Sequence, residues 1–182
     1  MIFAMAARTK LTYKDYVQIP DDGQRHEIID GEDYVSPAPE TYHQRLSGLI
    51  LHQLMTQIED RGLGAVYHAP IDIQLSDFDI VQPDLVVVLA SRRFIITPKK
   101  IKGPPDLVVE ILSPSTGSRD QREKLDLYQR AGVPEYWIVD PDEHTVEQRV
   151  LKSGKYELVG RHSEAVDFRG LPGVRVDLKR VW

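Results

Sequence analysis

The sequence contains no cysteine, which excludes disulfides, thiolate zinc sites and cysteine nucleophiles. No apolar run approaches the roughly 20 residues of a membrane-spanning helix. The opening residues, Met1-Ile2-Phe3-Ala4-Met5-Ala6-Ala7, are too few for a secretory signal and lack its basic start. These absences lead us to expect a cytoplasmic protein with no membrane attachment. Positive charge is also scarce: 23 Lys and Arg stand against 28 Asp and Glu, a net charge of -5. That balance argues against indiscriminate coating of nucleic acid, where affinity comes from neutralised phosphates. It leaves room for an acidic cleft with local basic patches, and Arg92-Arg93 with Lys99, Lys100 and Lys102, or Arg119, Arg122 and Lys124, are candidates. Their pattern alone reads as solvated surface. There is no phosphate-binding glycine loop and no Gly-x-Ser-x-Gly elbow. The six histidines include no helical i, i+4 pair of the kind that binds zinc.

What is present reads as one domain. The 182 residues suffice for a single core, and no linker or internal repeat divides them, so one domain is expected over 1–182, with residues 1–10 poorly ordered. A short helix is expected near Tyr13–Tyr16. Asp30-Gly31 lies between two β-prone runs, Arg25–Ile29 and Glu32–Val35, a strong hairpin signal. Leu46, Leu49, Ile50, Leu54 and Ile58 recur at helical spacing, which predicts a helix from about Thr41, as N-cap, to Arg61, ended by Gly62 and Gly64. One or two strands follow over 66–75. Strands are expected at 84–89, 106–112 and 135–139, a second helix at about 119–131, and a hairpin over 145–160. The step from the 106–112 strand through a helix to 135–139 has the length of a parallel crossover. The fold class is therefore mixed α/β (α+β), a mixed sheet flanked by helices.

Chemistry concentrates in two apolar strands that each carry one carboxylate, Pro83-Asp84-Leu85-Val86-Val87-Val88 and Asp106-Leu107-Val108-Val109-Glu110-Ile111-Leu112. An ionised Glu110 inside such a run is costly unless its charge is compensated. Alternation puts Asp84, Val86 and Val88 on one face, and Val108, Glu110 and Leu112 on one face. If the strands are neighbours, the two carboxylates point into the same space. There they repel, so the site should look acidic and empty until a cation sits between them. Oxygen donors of this kind suit Mg2+, with Mn2+ as a substitute, and a metal so held can activate water and stabilise charge on a phosphate. A lysine nearby would orient the nucleophile. Lys124, with Tyr128 one turn on, is the candidate, although its pattern alone reads as a solvated helix lysine.

Several motifs make the resemblance specific. They are His26-Glu27-Ile28-Ile29-Asp30-Gly31-Glu32, Ser36-Pro37-Ala38-Pro39, His43-Gln44, Pro83-Asp84-Leu85, Val109-Glu110-Ile111-Leu112-Ser113-Pro114-Ser115-Thr116, Glu123-Lys124, Tyr128 and Gly132–Pro141. Together they resemble the Uma-two family of endonucleases in the PD-(D/E)XK superfamily, over nearly the whole chain from about residue 10. The resemblance implies a restriction-endonuclease-like fold, Mg2+-dependent hydrolysis of DNA phosphodiester bonds, and a homodimer. It implies Asp84 and Glu110 as metal ligands and Glu27 as a further acidic member. One departure stands out: the simplest superfamily pattern is acidic-x-Lys, and here Glu110-Ile111-Leu112 places leucine where the lysine belongs. Lys124, on the following helix, is the natural replacement, and Gln44 is a candidate supporting residue. The alternative implied by Leu112 and the acidic charge is a catalytically inactive nuclease-fold module that binds nucleic acid or protein.

Overall fold

The computed structural model describes residues 10–113 and 117–182, without side chains for 117–121. The start of the chain through residue 9, and the turn at 114–116, lie outside the described residues. In chain order the elements are the one-turn helix α1 (Tyr13–Tyr16), strands β1 (Arg25–Ile29) and β2 (Glu32–Ser36), and helix α2 (Thr41–Ile58). Strands β3 (Gly64–His68), β4 (Ile73–Ser76), β5 (Asp79–Val81) and β6 (Leu85–Leu89) follow, then β7 (Ile101–Lys102) and β8 (Leu107–Ile111). Helix α3 (Gly117–Ala131) leads to β9 (Glu135–Asp140), β10 (Thr145–Lys152), β11 (Lys155–His162), β12 (Ala165–Asp167) and β13 (Arg175–Asp177).

A six-stranded sheet in the order β11-β10-β9-β8-β6-β3 is central. It is mixed, because β8 and β9 run parallel across the α3 crossover while β6 and β8 are antiparallel. One face buries Leu85, Val87, Leu107 and Val109 against the α2 stripe of Leu46, Ile50, Leu54 and Ile58, and against the β12–β13 hairpin. The other face buries Val86, Val88 and Val108 against Leu127 and Tyr128 of α3, and against a second sheet ordered β2-β1-β5-β4-β7. Strands β6 and β8 are thus covered on both sides, which is why they read as continuous apolar runs. Each fully buried Val, Leu or Ile contributes about 1.5–3 kcal/mol relative to exposure.

The expected hairpin forms at Asp30-Gly31, with φ of 52° and 80°, the two positive values a type I′ turn requires. The second sheet is a departure from the single mixed sheet expected. Its short strands β5 and β7 have too few residues to show a period. Thr41 begins α2 rather than capping it; Glu40 is the N-cap and makes no side-chain cap bond. Only Gly62 acts at the helix end, with φ +67°. Gly64 belongs to β3, where an added Cβ would lie 2.6 Å from the Val88 carbonyl oxygen. The segment after residue 9 is not loose: Leu11 N–H donates to Gly31 O, Tyr13 N–H to Asp77 O, and Tyr16 Oη to Asp72.

Gly64 is therefore a packing glycine. Gly64→Ala is expected to destabilise the protein by about 1–3 kcal/mol, read as a lower urea midpoint with an unchanged slope, whereas Gly48→Ala on α2, with open space around it, is expected to leave the midpoint unchanged or raise it.

Candidate active site

Strands β1, β6 and β8 and helices α2 and α3 meet at the end of the central sheet, and each contributes a polar side chain. Glu110 is the fourth residue of β8 and lies 7% exposed. Its Oε1 accepts hydrogen bonds from Tyr128 Oη at 2.6 Å and Lys124 Nζ at 2.9 Å. Lys124 and Tyr128 are one turn apart on α3 and so share a face. Lys124 is itself only 9% exposed, and Nζ also reaches Glu27 Oε2 at 3.0 Å. Glu27 sits in β1, an interior strand of the second sheet, and its Oε1 accepts from the Gln82 backbone N–H at 2.7 Å.

Asp84 occupies the position just before β6. The register pairs Leu85 with Val109, and its continuation sets Asp84 opposite Glu110. The Asp84 carboxylate turns across the strand end: Oδ2 accepts from Ile111 N–H at 2.8 Å and contacts His43 Nε2 at 3.1 Å. Oδ1 accepts from an Arg25 guanidinium nitrogen at 3.3 Å. His43 Nε2 also lies 3.2 Å from the Ile111 carbonyl oxygen. Arg25 and Glu27 are two residues apart in β1 and therefore face the same side.

Charge and burial determine protonation here. Burial pushes the Glu110 carboxyl up, the Lys124 ammonium pulls it down, and the Asp84 and Glu27 charges push it up again, leaving it raised. Burial would lower Lys124, but the Glu110 and Glu27 carboxylates outweigh it and hold the lysine protonated, above its ordinary range. Burial opposes ionisation of Asp84, yet His43 and Arg25 hold its carboxyl below the usual range. Burial acts to lower His43, and the Asp84 hydrogen bond and charge leave it raised. Tyr128 is raised by burial and by Glu110, so it keeps its proton and donates a hydrogen bond to Glu110.

The carboxylates are thus neutralised by Arg25, Lys124 and His43 rather than standing as the bare acidic site the sequence suggested. Among the described residues no three His, Asp or Glu side chains converge into a ready metal cage. The donors present are nevertheless the right type for a small hard cation. Asp84 and Glu110 offer carboxylate oxygens and Ile111 a carbonyl, and Mg2+ commonly takes one or two carboxylates and keeps several waters. Arg25 Nε and His43 Nδ1 are buried without a partner. Unpaired buried polar atoms cost about 1–3 kcal/mol each, and such costs collect at functional sites.

The sequence-derived candidates Glu27, Asp84, Glu110 and Lys124 are gathered in one region, with Lys124 buried rather than solvated. Two members were missed. His43 stands in the sequence only within the His43-Gln44 motif and as one of six scattered histidines, and nothing there singles out Arg25. Arg25 shares the Glu27 face of β1, and His43 follows the Ser36-Pro37-Ala38-Pro39 turn at the start of α2, which are the signals that would have found them. Gln44 has no side-chain partner among the described residues; it lines a neighbouring cavity. Of the basic patches, Arg92 is paired with Asp106 and the Pro104 carbonyl and Arg93 with the Gly64 carbonyl, so both tie loops down.

The sequence model of the Uma2 family, described as "Putative restriction endonuclease", matches residues 13–179. No curated protein matches the chain. Among solved structures, the chain is similar to a protein from Anabaena variabilis described as "a putative nuclease belonging to DUF820". The TM-score is 0.76 at 19% identity, over 94% of this chain and 97% of that one, a likeness of fold.

Lys124→Met leaves Glu27 and Glu110 buried without their cation, and a loss of about 3–5 kcal/mol is expected at neutral pH. The sign with pH follows from Glu110. Its folded pKa is already raised and rises further without Lys124, so the unfolded state holds fewer protons than the folded one between the two values. The variant should therefore recover stability as pH falls through that raised value and lose it as pH rises, which urea titrations at mildly acidic and alkaline pH will read.

Proposed function

The chain belongs to the Uma2 family, and on that footing we propose that it is a Mg2+-dependent endonuclease that hydrolyses phosphodiester bonds of DNA. The observation that carries this reading is the Lys124 ammonium, buried and 2.9 Å from Glu110. A helix lysine reaches the carboxylate whose own strand has Leu112 in the lysine position. Asp84 and Glu110 would hold the metal, with Mn2+ able to substitute. The chemistry it would supply is activation of water and charge stabilisation on the phosphate. The Lys124 ammonium would orient the attacking oxygen and stabilise developing negative charge. Glu27 also holds the lysine, and Tyr128 fixes the Glu110 carboxylate. Arg25 and His43 present donors to the phosphodiester next to Asp84.

Plasmid nicking in the presence of Mg2+ tests the assignment. Wild type should cut, chelation should abolish cutting, and Asp84→Ala and Lys124→Met should each lower the rate by about a hundredfold or more. Equal rates in wild type and Asp84→Ala would remove the assigned site.

A second reading, a nuclease-fold module without catalysis, is favoured by one observation: Asp84 already has Arg25, His43 and Ile111 as partners. Calorimetry separates the two. A nuclease binds Mg2+ or Mn2+ and loses that binding in Glu110→Ala, and a module without catalysis has no need of such a site. We also propose a cytoplasmic setting and a homodimer. Among the described residues no strand pairs with the outer edge of β11, where Leu158 is 51% and Val159 36% exposed, a surface suited to edge pairing. Light scattering should return twice the 20.8 kDa chain mass, and a monomer mass at micromolar concentration would count against the dimer.

A further inference from the structure

Beside the carboxylate cleft lies a second, larger cavity of about 390 Å³. It opens between the start of α2, the Pro37-Ala38-Pro39 turn and the end of β3, and Asp84 forms part of its wall. Arg25 and His43 line both this cavity and the cleft that holds Glu110 and Lys124. The two spaces therefore share a wall that carries a guanidinium and an imidazole. Only one nitrogen of the Arg25 guanidinium makes a hydrogen bond among the described residues.

The rest of the cavity is chemically distinct from a phosphate site. Arg25 is its only permanent cation, and that charge faces Asp84. Besides the Asp21 carboxylate, which accepts from the Gly23 amide at 3.1 Å, the free polar groups are neutral: the Gln44 amide and Ser47 hydroxyl, one turn apart on α2, have no side-chain partner among the described residues. His68 uses Nδ1 on the Ala69 carbonyl at 2.8 Å, which leaves Nε2 available. An amide, a hydroxyl and an imidazole nitrogen set among Pro37, Pro39 and Pro70 offer both donors and acceptors. That is the complement of a base edge, not of a phosphate chain. The volume falls in the range of small-ligand pockets, roughly 300–1,000 Å³. It suits one nucleotide, and a base within a stacked duplex would have to leave the stack to enter it.

We propose that this cavity seats a single unpaired nucleotide adjoining the bond to be cut, with its phosphate passing along the Arg25–His43 wall into the carboxylate cleft. The substrate is then DNA with unpaired or readily extruded bases in preference to regular duplex. This inference rests on the nuclease reading for the role of the cleft, and its binding test does not depend on catalysis.

The test is fluorescence anisotropy with a labelled single-stranded deoxyoligonucleotide and a duplex of the same sequence, in chelator, using the full chain. Wild type should bind the single strand at least about tenfold more tightly than the duplex. Ser47→Leu, which fills the cavity, and Gln44→Ala, a change on the exposed helix surface that the fold will tolerate, should each reduce or erase that preference while leaving duplex binding alone. Equal affinity for the two probes in wild type, or an unaltered preference in both variants, overturns the proposal. Plasmid nicking separates the two readings. Preferential single-strand binding that both variants lower, without any nicking, leaves the subsite standing and removes the nuclease reading. Nicking by wild type together with indifferent binding does the reverse.

Discussion

The Lys124 ammonium, held between Glu27 and Glu110, is the contact on which the arrangement turns. It joins β1 of the second sheet to two consecutive elements far along the chain, β8 of the central sheet and α3. All three charges are buried at the wall of the cleft, where water solvates them little, and each is tolerable because the others are there. Tyr128 completes the set by donating to the same oxygen of Glu110 that Lys124 reaches. An apolar trio of similar volume would hold the layers together at least as well. The charges are better understood as a feature of what the site does than of what keeps it folded.

The same economy extends to Asp84. Arg25, His43 and the Ile111 amide surround it, and two buried nitrogens nearby remain unpaired. Elsewhere in the core a buried carboxylate is fully met: Glu135 accepts from Trp137, Gln148 and the Arg169 amide. The contrast sets the Asp84–Glu110 region apart from the rest of the sheet. A small polar cleft and a larger cavity share Arg25 and His43 there. The two open on either side of the wall these residues make.

Much of the fold was legible because it is periodic. The α2 stripe, the Asp30-Gly31 turn, the apolar runs of β6 and β8 and the crossover to β9 all follow from 3.6- and 2-residue repeats and from turn chemistry. The second sheet was not legible. Strands β5 and β7 span three residues and two, too short for alternation to register, and they exist because neighbouring strands supply their hydrogen bonds. Gly64 looked like a helix terminator from its spacing to Gly62, and its place in β3 follows from the close approach of Val88.

The candidate site divides in the same way. That Glu110 needs a counter-charge could be read from its own strand, since desolvation acts on any carboxylate among valines and leucines. Which group answers it could not. Lys124 in isolation has the pattern of an ordinary surface lysine, and His43 that of a stray histidine. Local spacing describes which way a side chain leaves its own helix or strand. It is silent on what another part of the chain, tens of residues away, brings to meet it. Glu27 and Lys124 are 97 residues apart in sequence, and they become partners because the second sheet and α3 pack on the same face of the central sheet, where burial makes two carboxylates and one ammonium each other's main counter-charge.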